Sequence, residues 1–445
     1  MDIEREIITE LIKWKDSSSH RPLLIQGARQ IGKTWVMKHF GKRYFENVAY
    51  FNFDSNEELS QEFERSKQPE RLLKALALYT EGPITPGKTL IIFDEIQECP
   101  NALNSLKYFC EDAPEYHIIS AGSLLGVAIH HHKGFPVGKV DFIKMYPISF
   151  REYLNAVYPE VYGYINDIDG FDSLPGIIEG KMWTAYRNYQ ICGGMPRAVV
   201  ASIENLGLEK IKNEQREILT SYYLDFTKHA PTKDFPKISA IWQSLPSQLA
   251  KENRKFIYKV VKEGARAREY EDALRWLREA ALVYQIFCIS KPGLPLSAFD
   301  DLNAFKIYML DIGLLRELAD LPPAIFTSDN PNYIEFKGAM TENTVLQNIL
   351  PALGLMPRYW VSNGIAEVDF IIQDELEIIP IEVKSSTNIS SKSLSVYIKK
   401  YNPKMAIVLS AQEFSIRKNP DGTTIIYIPL PMAGWIPKII ELAKR

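Results

Sequence analysis

The chain has 445 residues, of which 46% are hydrophobic and 24% are charged, and its formal net charge is -3. These proportions are typical of a folded globular protein and exclude an intrinsically disordered chain. At roughly 150 residues per domain, the length predicts about three domains. The nearly neutral charge excludes a strongly basic protein, so binding to nucleic acid would require a local basic patch.

Cysteine spacing and the distribution of apolar residues indicate the cellular compartment in which the protein is expected. Cys99, Cys110, Cys192 and Cys288 stand singly, without a C-x-x-C pair, which argues against a disulfide framework and a zinc cluster. The first residues are charged where a secretory signal would be apolar, and no later segment is apolar for long enough to span a membrane. We therefore expect a cytoplasmic protein without membrane contact.

The first third of the chain alternates strand-like and helix-like segments. Apolar runs rich in β-branched and aromatic residues occur at 22–26, 47–53, 89–93, 117–120 and 140–145. This alternation predicts an α/β fold with a parallel sheet covered by helices. From residue 148 the pattern becomes helical, with a break at 192–197, and a hairpin-like pair of apolar runs follows near residues 282–310.

The segment G-A-R-Q-I-G-K-T follows the first predicted strand and matches the P-loop pattern G-x-x-x-x-G-K-T. Its glycines let backbone amides turn toward phosphate at the start of a helix. Lys33 is predicted to neutralise the β- and γ-phosphates of ATP, and the Thr34 hydroxyl to hold Mg²⁺. The predicted nucleotide-binding residues here are Gly27, Ala28, Arg29, Gln30, Ile31, Gly32, Lys33, Thr34 and Trp35.

A second motif, T-L-I-I-F-D-E at 89–95, ends a buried-type strand with two carboxylates. Open α/β sheets bind ligands at that edge. Asp94 is predicted to hold Mg²⁺ through water, and Glu95 to be the catalytic base; the alternative is an ordinary helix start with an acidic first turn. Ser123 ends another strand and is predicted either to sense the γ-phosphate or the catalytic water, or to cap a helix.

Together these motifs resemble the prokaryotic AAA-type ATPases that carry a C-terminal domain called DUF4143. The resemblance rests on the P-loop and on the segments F-N-F-D (51–54), F-D-E-I-Q (93–97), A-G-S (121–123), Y-P-I-S-F (146–150) and G-G-M-P (193–196). It implies a sheet with strand order 5-1-4-3-2, and it adds Pro196 to the predicted nucleotide-binding residues. The predicted parts are an AAA-like ATPase core (1–147), a helical lid (148–227), a winged-helix-like module (228–325) and a PD-(D/E)xK nuclease-like domain (326–445).

At one position the sequence departs from this family. Members often carry an arginine before the fifth strand, where it would act as a finger on a neighbouring subunit's γ-phosphate, but this chain has Lys139. Lysine lacks the planar fork of arginine. Either hydrolysis is slow, or Lys139 suffices, or Arg151 or Arg197 serves instead. The histidines at 130–132 are predicted to lie in a loop rather than to bind metal.

In the tail, two strand-like runs flank a tight polar turn near residues 375–376. A two-residue turn pairs Asp369 with residue 380 or with Glu382 and puts Asp369, Glu382 and Lys384 on one face, whereas an odd-length loop turns Asp369 away. With Glu342 from the preceding helix, the carboxylates predict a Mg²⁺ site, and Lys384 is predicted to be catalytic. This arrangement resembles PD-(D/E)xK nucleases. Pro380 indicates an edge strand or a bulge.

Six basic residues are concentrated between residues 259 and 278, with Tyr270 and Trp276 among them. This composition fits a recognition helix on DNA, while the interspersed acidic residues are typical of a solvated helix face.

These features predict an enzyme that binds and hydrolyses ATP with Mg²⁺ and couples its nucleotide state to the binding or cleavage of nucleic acid, with DNA as the first candidate. One alternative is a nucleotide-dependent switch whose non-catalytic C-terminal domain docks a protein partner. Another is a nucleotide-binding scaffold with negligible turnover. Because AAA-type sites often lie at subunit interfaces, a homo-oligomer is also considered.

Overall fold

The computed structural model describes residues 2–54, 56–80, 82–127, 135–251, 255–326, 334–362, 366–386 and 392–445. The chain divides into two compact units, the first formed by Asp2–Tyr146 with Glu279–Leu282 and the second by Pro147–Arg278 with Val283–Arg445. The predicted histidine loop at 130–132 lies outside the described residues. Across the described residues, no helix is both long enough and apolar enough to cross a bilayer.

The first unit is built on a parallel sheet. Its strands are β1 (Leu23–Gln26), β2 (Asn47–Asn52), β3 (Thr89–Asp94), β4 (His117–Ala121) and β5 (Asp141–Lys144). They hydrogen-bond in the order β2-β3-β4-β1-β5, with every pairing parallel, which confirms the order 5-1-4-3-2. The helices are α1 (Ile7–Asp16), α2 (Lys33–Tyr44), α3 (Glu57–Arg65), α4 (Pro69–Leu76) and α5 (Pro100–Asp112).

The central strands of this sheet read as continuous apolar runs because both of their faces are covered. Every residue of β3 and of β4 is buried. The last residue of β3, Asp94, is only 3% exposed although it is charged. A buried carboxylate requires hydrogen-bonding partners, and the carboxyl edge of the sheet supplies them.

The second unit begins with helices. They are α6 (Phe150–Val157), α7 (Pro159–Asn166), α8 (Gly176–Cys192), α9 (Pro196–Ile203), α10 (Leu208–His229), α11 (Phe235–Leu249), α12 (Tyr258–Val261) and α13 (Ala267–Glu279). The predicted break at 192–197 is the connection from α8 to α9. Helix α6 starts with a capping box, in which Ser149 accepts from the backbone of Glu152 and the Glu152 side chain accepts in return from the backbone of Ser149.

A mixed sheet forms the rest of the second unit. Its strands are β6 (Val283–Ile289), β7 (Asp300–Met309), β8 (Arg358–Ser362), β9 (Ala366–Asp374), β10 (Glu377–Val383), β11 (Met405–Ser410), β12 (Ser415–Lys418) and β13 (Thr424–Pro429), in the order β12-β13-β11-β10-β9-β8-β6-β7. Its accompanying helices are α14 (Ile312–Leu318), α15 (Ile334–Leu353), α16 (Lys392–Tyr401) and α17 (Ile436–Lys444).

The hairpin predicted for the winged-helix module therefore belongs to the same sheet as the C-terminal strands, because β6 pairs with β8. The winged helix itself stays a prediction, as do the domain boundaries. What the pairing establishes is that hydrogen bonds cross the predicted boundary between residues 325 and 326. The lid and the C-terminal region are also connected, since the backbone N–H of Phe150 donates to the Asn348 side chain at 2.6 Å.

The pairing of β9 with β10 sets the register of the predicted C-terminal site. Asp374 lies opposite Glu377 and Phe370 opposite Ile381, so Asp369 falls beside Glu382. The inference of an edge strand or bulge from Pro380 is wrong, because β10 lies between β9 and β11 and pairs regularly with β9. The missing N–H of the proline is tolerated because pairing with β11 begins only at Ile381.

A buried aspartate organises the G-G-M-P segment. Asp311 is fully buried and accepts hydrogen bonds from the backbone of Gly194 at 2.5 Å, from the backbone of Leu314 at 2.9 Å and from the Gln347 amide at 2.9 Å. A Cβ on Gly193, whose φ is 71°, would lie 2.3 Å from the Asp311 carboxylate. The two glycines thus permit a close approach that joins the α8–α9 connection to α14 and α15.

Candidate functional site

The P-loop connects β1 to α2 and is held by contacts on two sides. Gly32 has a φ of 94°, a left-handed conformation that favours glycine. A Cβ on Gly27 would lie 2.4 Å from the carbonyl oxygen of Met145. Arg5, which is buried, donates to the carbonyl of Ile31 at 3.0 Å and to that of Tyr146 at 2.7 Å. Sequence reasoning missed Arg5, since it stands before the first helix and outside any motif.

Lys33 lies inside the loop that it belongs to. Its ammonium donates to the carbonyl oxygens of Gly27 at 2.9 Å and Ala28 at 2.6 Å, and the residue is 6% exposed. Burial lowers the pKa of Lys33 to about 8, and the nearby Glu95 and Asp94 carboxylates oppose this shift. A partly desolvated ammonium gains more from a phosphate anion than one in water does, so the cradle suits an anionic ligand.

Asp94 is the acceptor of two converging hydroxyl groups. Thr34 Oγ1 donates to Asp94 Oδ2 at 2.7 Å, and the Tyr50 hydroxyl donates to the same oxygen at 2.9 Å. Burial, reinforced by the Asp94 charge, raises the pKa of Tyr50 above its usual value. A hydroxyl and a carboxylate are hard oxygen donors of the kind that Mg²⁺ prefers, so Thr34 and Asp94 fit this ion. Sequence reasoning missed Tyr50, whose only signal is its place beside the F-N-F-D segment.

Glu95 follows Asp94 with a φ of 49°, a left-handed conformation that a non-glycine residue adopts only when its surroundings hold it there. The Ser123 hydroxyl donates to both carboxylate oxygens, at 2.8 and 3.0 Å, and the Ser123 backbone N–H donates at 3.1 Å. Gln97 Nε2 donates at 2.7 Å. Burial alone raises the pKa of Glu95, but the bonds from Gln97 and Ser123 outweigh it and hold the pKa below its ordinary value.

Gln97 brings two of the sequence motifs into close approach. A Cβ on Gly122 would lie 1.8 Å from the side-chain oxygen of Gln97. The glycine of A-G-S therefore leaves the space that the glutamine of F-D-E-I-Q occupies, and from there the glutamine reaches Glu95. The motif was noticed in the sequence, but the role of Gln97 in it was not.

In the second unit, the predicted C-terminal residues are brought to adjacent strands. Asp369 Oδ2 accepts from the backbone N–H of Val383 at 2.8 Å, and Lys384 pairs with Glu382 at 2.6 Å. Asp369 and Glu382 are 8% and 3% exposed. Their proximity agrees with the predicted shared face, while their roles as metal ligands, and that of Lys384 in catalysis, stay predictions.

Glu342 has other partners. Its Oε2 accepts from the Tyr308 hydroxyl at 2.9 Å and lies 3.7 Å from the ammonium of Lys306. That ammonium also forms a hydrogen bond with Glu367. Across the described parts of the chain, no group of three or more His, Cys, Asp or Glu side chains is arranged to hold a metal ion. The three-carboxylate Mg²⁺ centre, with Glu342 as its third ligand, stays a prediction.

Comparison with known families agrees with this architecture. An AAA domain matches residues 19–154, a domain of unknown function, DUF8612, matches residues 184–324, and another, DUF4143, matches residues 337–432. The chain is an AAA-type P-loop protein of the ATPase class with a C-terminal DUF4143 domain. No curated protein matches the chain.

Several solved structures resemble this AAA–DUF4143 protein remotely. The Walker-type ATPase PABY2304 of Pyrococcus abyssi is 13% identical, covers 71% of this chain and 96% of its own, and has a TM-score of 0.45. The Aeropyrum pernix ORC1 protein, in complex with DNA, is 12% identical over 72% of this chain and 94% of its own, with a TM-score of 0.30. The Thermotoga maritima RuvB Holliday junction branch migration motor is 12% identical over 63% and 89%, with a TM-score of 0.26.

The other predicted nucleotide contacts lie in two places, the P-loop region of the first unit and the start of α9 in the second unit. Trp35 is 36% exposed and stacks on His39 with ring centroids 4.6 Å apart. Gln30 has a φ of 64° and, with Arg29, belongs to the P-loop. Pro196 begins α9 in the second unit, where proline is favoured because the first helical N–H needs no intrahelical partner. Their contacts with nucleotide stay predictions.

Each residue weighed as an arginine finger is engaged by neighbours within its own unit. Lys139 pairs with Glu111 at 2.8 Å on the surface. Arg151 donates to a backbone carbonyl at 3.1 Å. Arg197 pairs with Glu214 at 2.6 Å. A finger role for any of them requires exchange of these contacts and stays a prediction.

The basic segment that ends in α13 does not combine charge with exposed aromatic rings. Tyr270 and Trp276 are 6% and 4% exposed and belong to the core. On the exposed face, Arg275 lies 4.0 Å from Glu271 and 3.5 Å from Asp272. This face therefore presents both signs of charge, and its contact with DNA stays a prediction.

Proposed function

We propose that the AAA domain binds ATP with Mg²⁺ and hydrolyses it, with Glu95 as the general base. The observation that supports this is the Glu95 carboxylate, held by Ser123 and Gln97 at the carboxyl edge of the sheet, next to the Thr34–Asp94 pair and the P-loop lysine. Lys33 would hold the phosphates, and Thr34 and Asp94 would hold Mg²⁺. When bound, Mg²⁺ neutralises charge on the β- and γ-phosphates.

The hydrogen bonds of Glu95 favour one place for the attacking water. Among the described residues, Oε2 accepts from the Ser123 backbone, the Ser123 hydroxyl and Gln97, whereas Oε1 accepts from the Ser123 hydroxyl. A carboxylate offers about four lone-pair positions, and the remaining capacity is at Oε1. We assign Oε1 to orient the water and take its proton, with Ser123 and Gln97 positioning the carboxylate.

Steady-state phosphate release and nucleotide binding test this proposal together. A general base contributes about 10²- to 10⁴-fold to a rate, so Glu95→Gln should lower kcat by that range while ATP still binds. Lys33→Ala should lose ATP binding. A wild-type rate no higher than that of Glu95→Gln would refute the assignment of Glu95, and unimpaired ATP binding by Lys33→Ala would refute the assignment of the P-loop lysine.

We further propose that the nucleotide state controls what the second unit binds. The support is the buried contact set around Asp311, which joins the predicted lid to α14 and α15, so that the lid helices and the DUF4143 domain respond together. Nucleic acid, with DNA first, is the leading ligand, because basic residues concentrate on the segment that ends in α13. A protein partner is the second candidate, favoured by the mixed charge of the exposed α13 face.

DNA affinity in two nucleotide states distinguishes these ligands. Glu95→Gln protein with ATP and wild-type protein with ADP should differ at least about fivefold in affinity for labelled single-stranded, duplex or branched DNA, a coupling of about 1 kcal/mol. Sizing of the same samples reports whether ATP promotes a homo-oligomer. If neither state binds DNA although ATP is hydrolysed, the nucleic-acid proposal fails and the protein-partner proposal takes its place.

A further inference from the structure

Lys306 is a fully buried lysine of the second unit, on a strand at the end of the mixed sheet. The residue is 0% exposed and lies on β7, opposite Ile286 of β6. Lysine is almost never buried completely unless it is paired. A buried ammonium carries a large desolvation cost, so its partners decide whether it stays charged.

The partners of Lys306 are acidic and aromatic groups from other strands and from α15. Its ammonium pairs with Glu367 of β9 and lies 3.7 Å from Glu342 Oε2. It also lies 5.0 Å from the centroid of the Tyr359 ring of β8, a distance at which a ring face attracts a cation. The Lys306 charge is thus shared between Glu342 and Glu367.

The same contacts limit the ability of Glu342 to bind a divalent ion. Its Oε2 already receives the Tyr308 hydroxyl and faces the ammonium. Mg²⁺ binds a carboxylate oxygen at about 2.1 Å, so an ion at this oxygen would lie close to the Lys306 charge. Like charges at such separations repel strongly where water is excluded. Oε2 of Glu342 is therefore ill suited to bind a divalent ion.

We infer that Lys306, in the region matched by DUF8612, is the resident cation for Glu342 and Glu367 of the DUF4143 domain, and that its charge keeps Glu342 out of a divalent-metal site. The DUF4143 domain then does not cleave phosphodiesters through a metal site that includes Glu342, and the metal-binding roles of Asp369 and Glu382 stay predictions. The inference rests on the contacts of Lys306 and does not require the nucleotide-dependent control proposed above.

Thermal unfolding of the full-length, nucleotide-free protein tests this inference, with Lys384→Met as the matched control because Lys384 also pairs with a buried glutamate. Lys306→Met should lower Tm by roughly 5 °C or more, since it removes the Lys306 cation from the buried Glu342 and the partly buried Glu367. Lys384→Met should lower Tm by less than half as much, because Lys384 is 30% exposed. The triple variant Lys306→Met/Glu342→Gln/Glu367→Gln should recover at least half of the loss, because its buried groups are neutral. If Lys306→Met does not fold while the triple variant does, the inference is equally supported.

Glu342→Gln supplies a second measurement that needs no unstable variant. Mn²⁺ should shift the Tm of the Lys33→Ala protein and that of the Lys33→Ala/Glu342→Gln protein equally, within about 1 °C. Two results would overturn the inference: a Mn²⁺-induced rise in Tm that disappears when Glu342→Gln is added, or a loss in Lys306→Met no larger than that in Lys384→Met. Divalent-dependent DNA cleavage by the wild type that Glu342→Gln abolishes would overturn it as well.

Discussion

Removal of the Ser123 hydroxyl should weaken ATP hydrolysis and change its pH dependence. In Ser123→Ala, Glu95 loses a donor that lies 2.8 and 3.0 Å from its two oxygens and keeps the bonds from the Ser123 backbone and from Gln97. A hydrogen bond to a charged group contributes about 1.5–3 kcal/mol. The lower end applies because Glu95 is only partly buried, and about 1.4 kcal/mol corresponds to a tenfold change in rate.

We therefore expect kcat to fall about tenfold in Ser123→Ala, with little change in ATP affinity. The hydroxyl favours the ionised carboxylate, so its loss raises the pKa of Glu95 relative to the wild type. Because the base must be ionised to act, the acid limb of the kcat–pH profile should move to higher pH.

Phosphate release measured across pH, alongside binding of a fluorescent ATP analogue, provides the test. Ser123→Thr is the matched control, because it keeps a hydroxyl and should stay within about threefold of the wild type, a difference of roughly 0.7 kcal/mol. An unchanged acid limb in Ser123→Ala together with a kcat within about twofold of the wild type would refute the positioning of Glu95 by Ser123. A loss of ATP affinity equal to the loss in kcat/KM would instead place Ser123 in ground-state binding.

Three further predictions concern residues that sequence reasoning did not single out. Arg5→Gln should weaken ATP binding by roughly tenfold, because two bonds that fix the P-loop and the end of the fifth strand are lost, and calorimetric titration measures this. Tyr50→Phe should raise the Mg²⁺ concentration for half-maximal hydrolysis by up to roughly tenfold, as for partners of metal ligands, which a Mg²⁺ titration of the rate checks. Burial, with a smaller contribution from a neighbouring histidine, lowers the pKa of His117 to about 4 from 6.5. Between these two pH values, His117 is therefore protonated in the unfolded chain and neutral in the folded protein. The free energy of unfolding should have its full value above pH 6.5 and should fall by on the order of 2 kcal/mol toward pH 4. Urea unfolding of the wild type and of His117→Gln shows whether this pH dependence comes from His117.

The buried lysines of the two units have different kinds of partner. In the AAA domain, Lys33 is held by backbone carbonyls, which a phosphate can replace. In the second unit, Lys306 is held by the buried Glu342 and the partly buried Glu367, and a ligand that displaced it would leave the Glu342 carboxylate without this cation. The first lysine is therefore suited to ligand exchange and the second to permanent pairing.

The sequence by itself determined those features that depend on residues close together along the chain. The P-loop and the carboxylates after β3 are contiguous motifs, and the apolar runs located the strands because parallel strands covered on both faces are continuously apolar. The strand order followed from the family resemblance. In the tail, the period of two along a strand placed Asp369 and Glu382 on one face for either two-residue-turn register.

Only the tertiary structure decided which distant groups meet. Arg5 supports the P-loop, Tyr50 shares Asp94 with Thr34, and Gln97 reaches Glu95 because Gly122 leaves it space. The contacts of Arg5 and Tyr50 have no sequence pattern, because each depends on the packing of separate elements. Gln97 and Gly122 lie in motifs, but the sequence does not show that the two motifs meet.

Pro380 and Lys306 show the same limit in the second unit. Pro380 was misjudged because its tolerance depends on where the pairing with β11 begins. Lys306 carried no signal at all, since its partner carboxylates come from segments tens of residues away in the chain. In a sequence, a lone lysine in an apolar run is interpreted as an ordinary strand residue. Its burial and its carboxylate partners depend on the fold, because they arise only when distant segments pack together and exclude water.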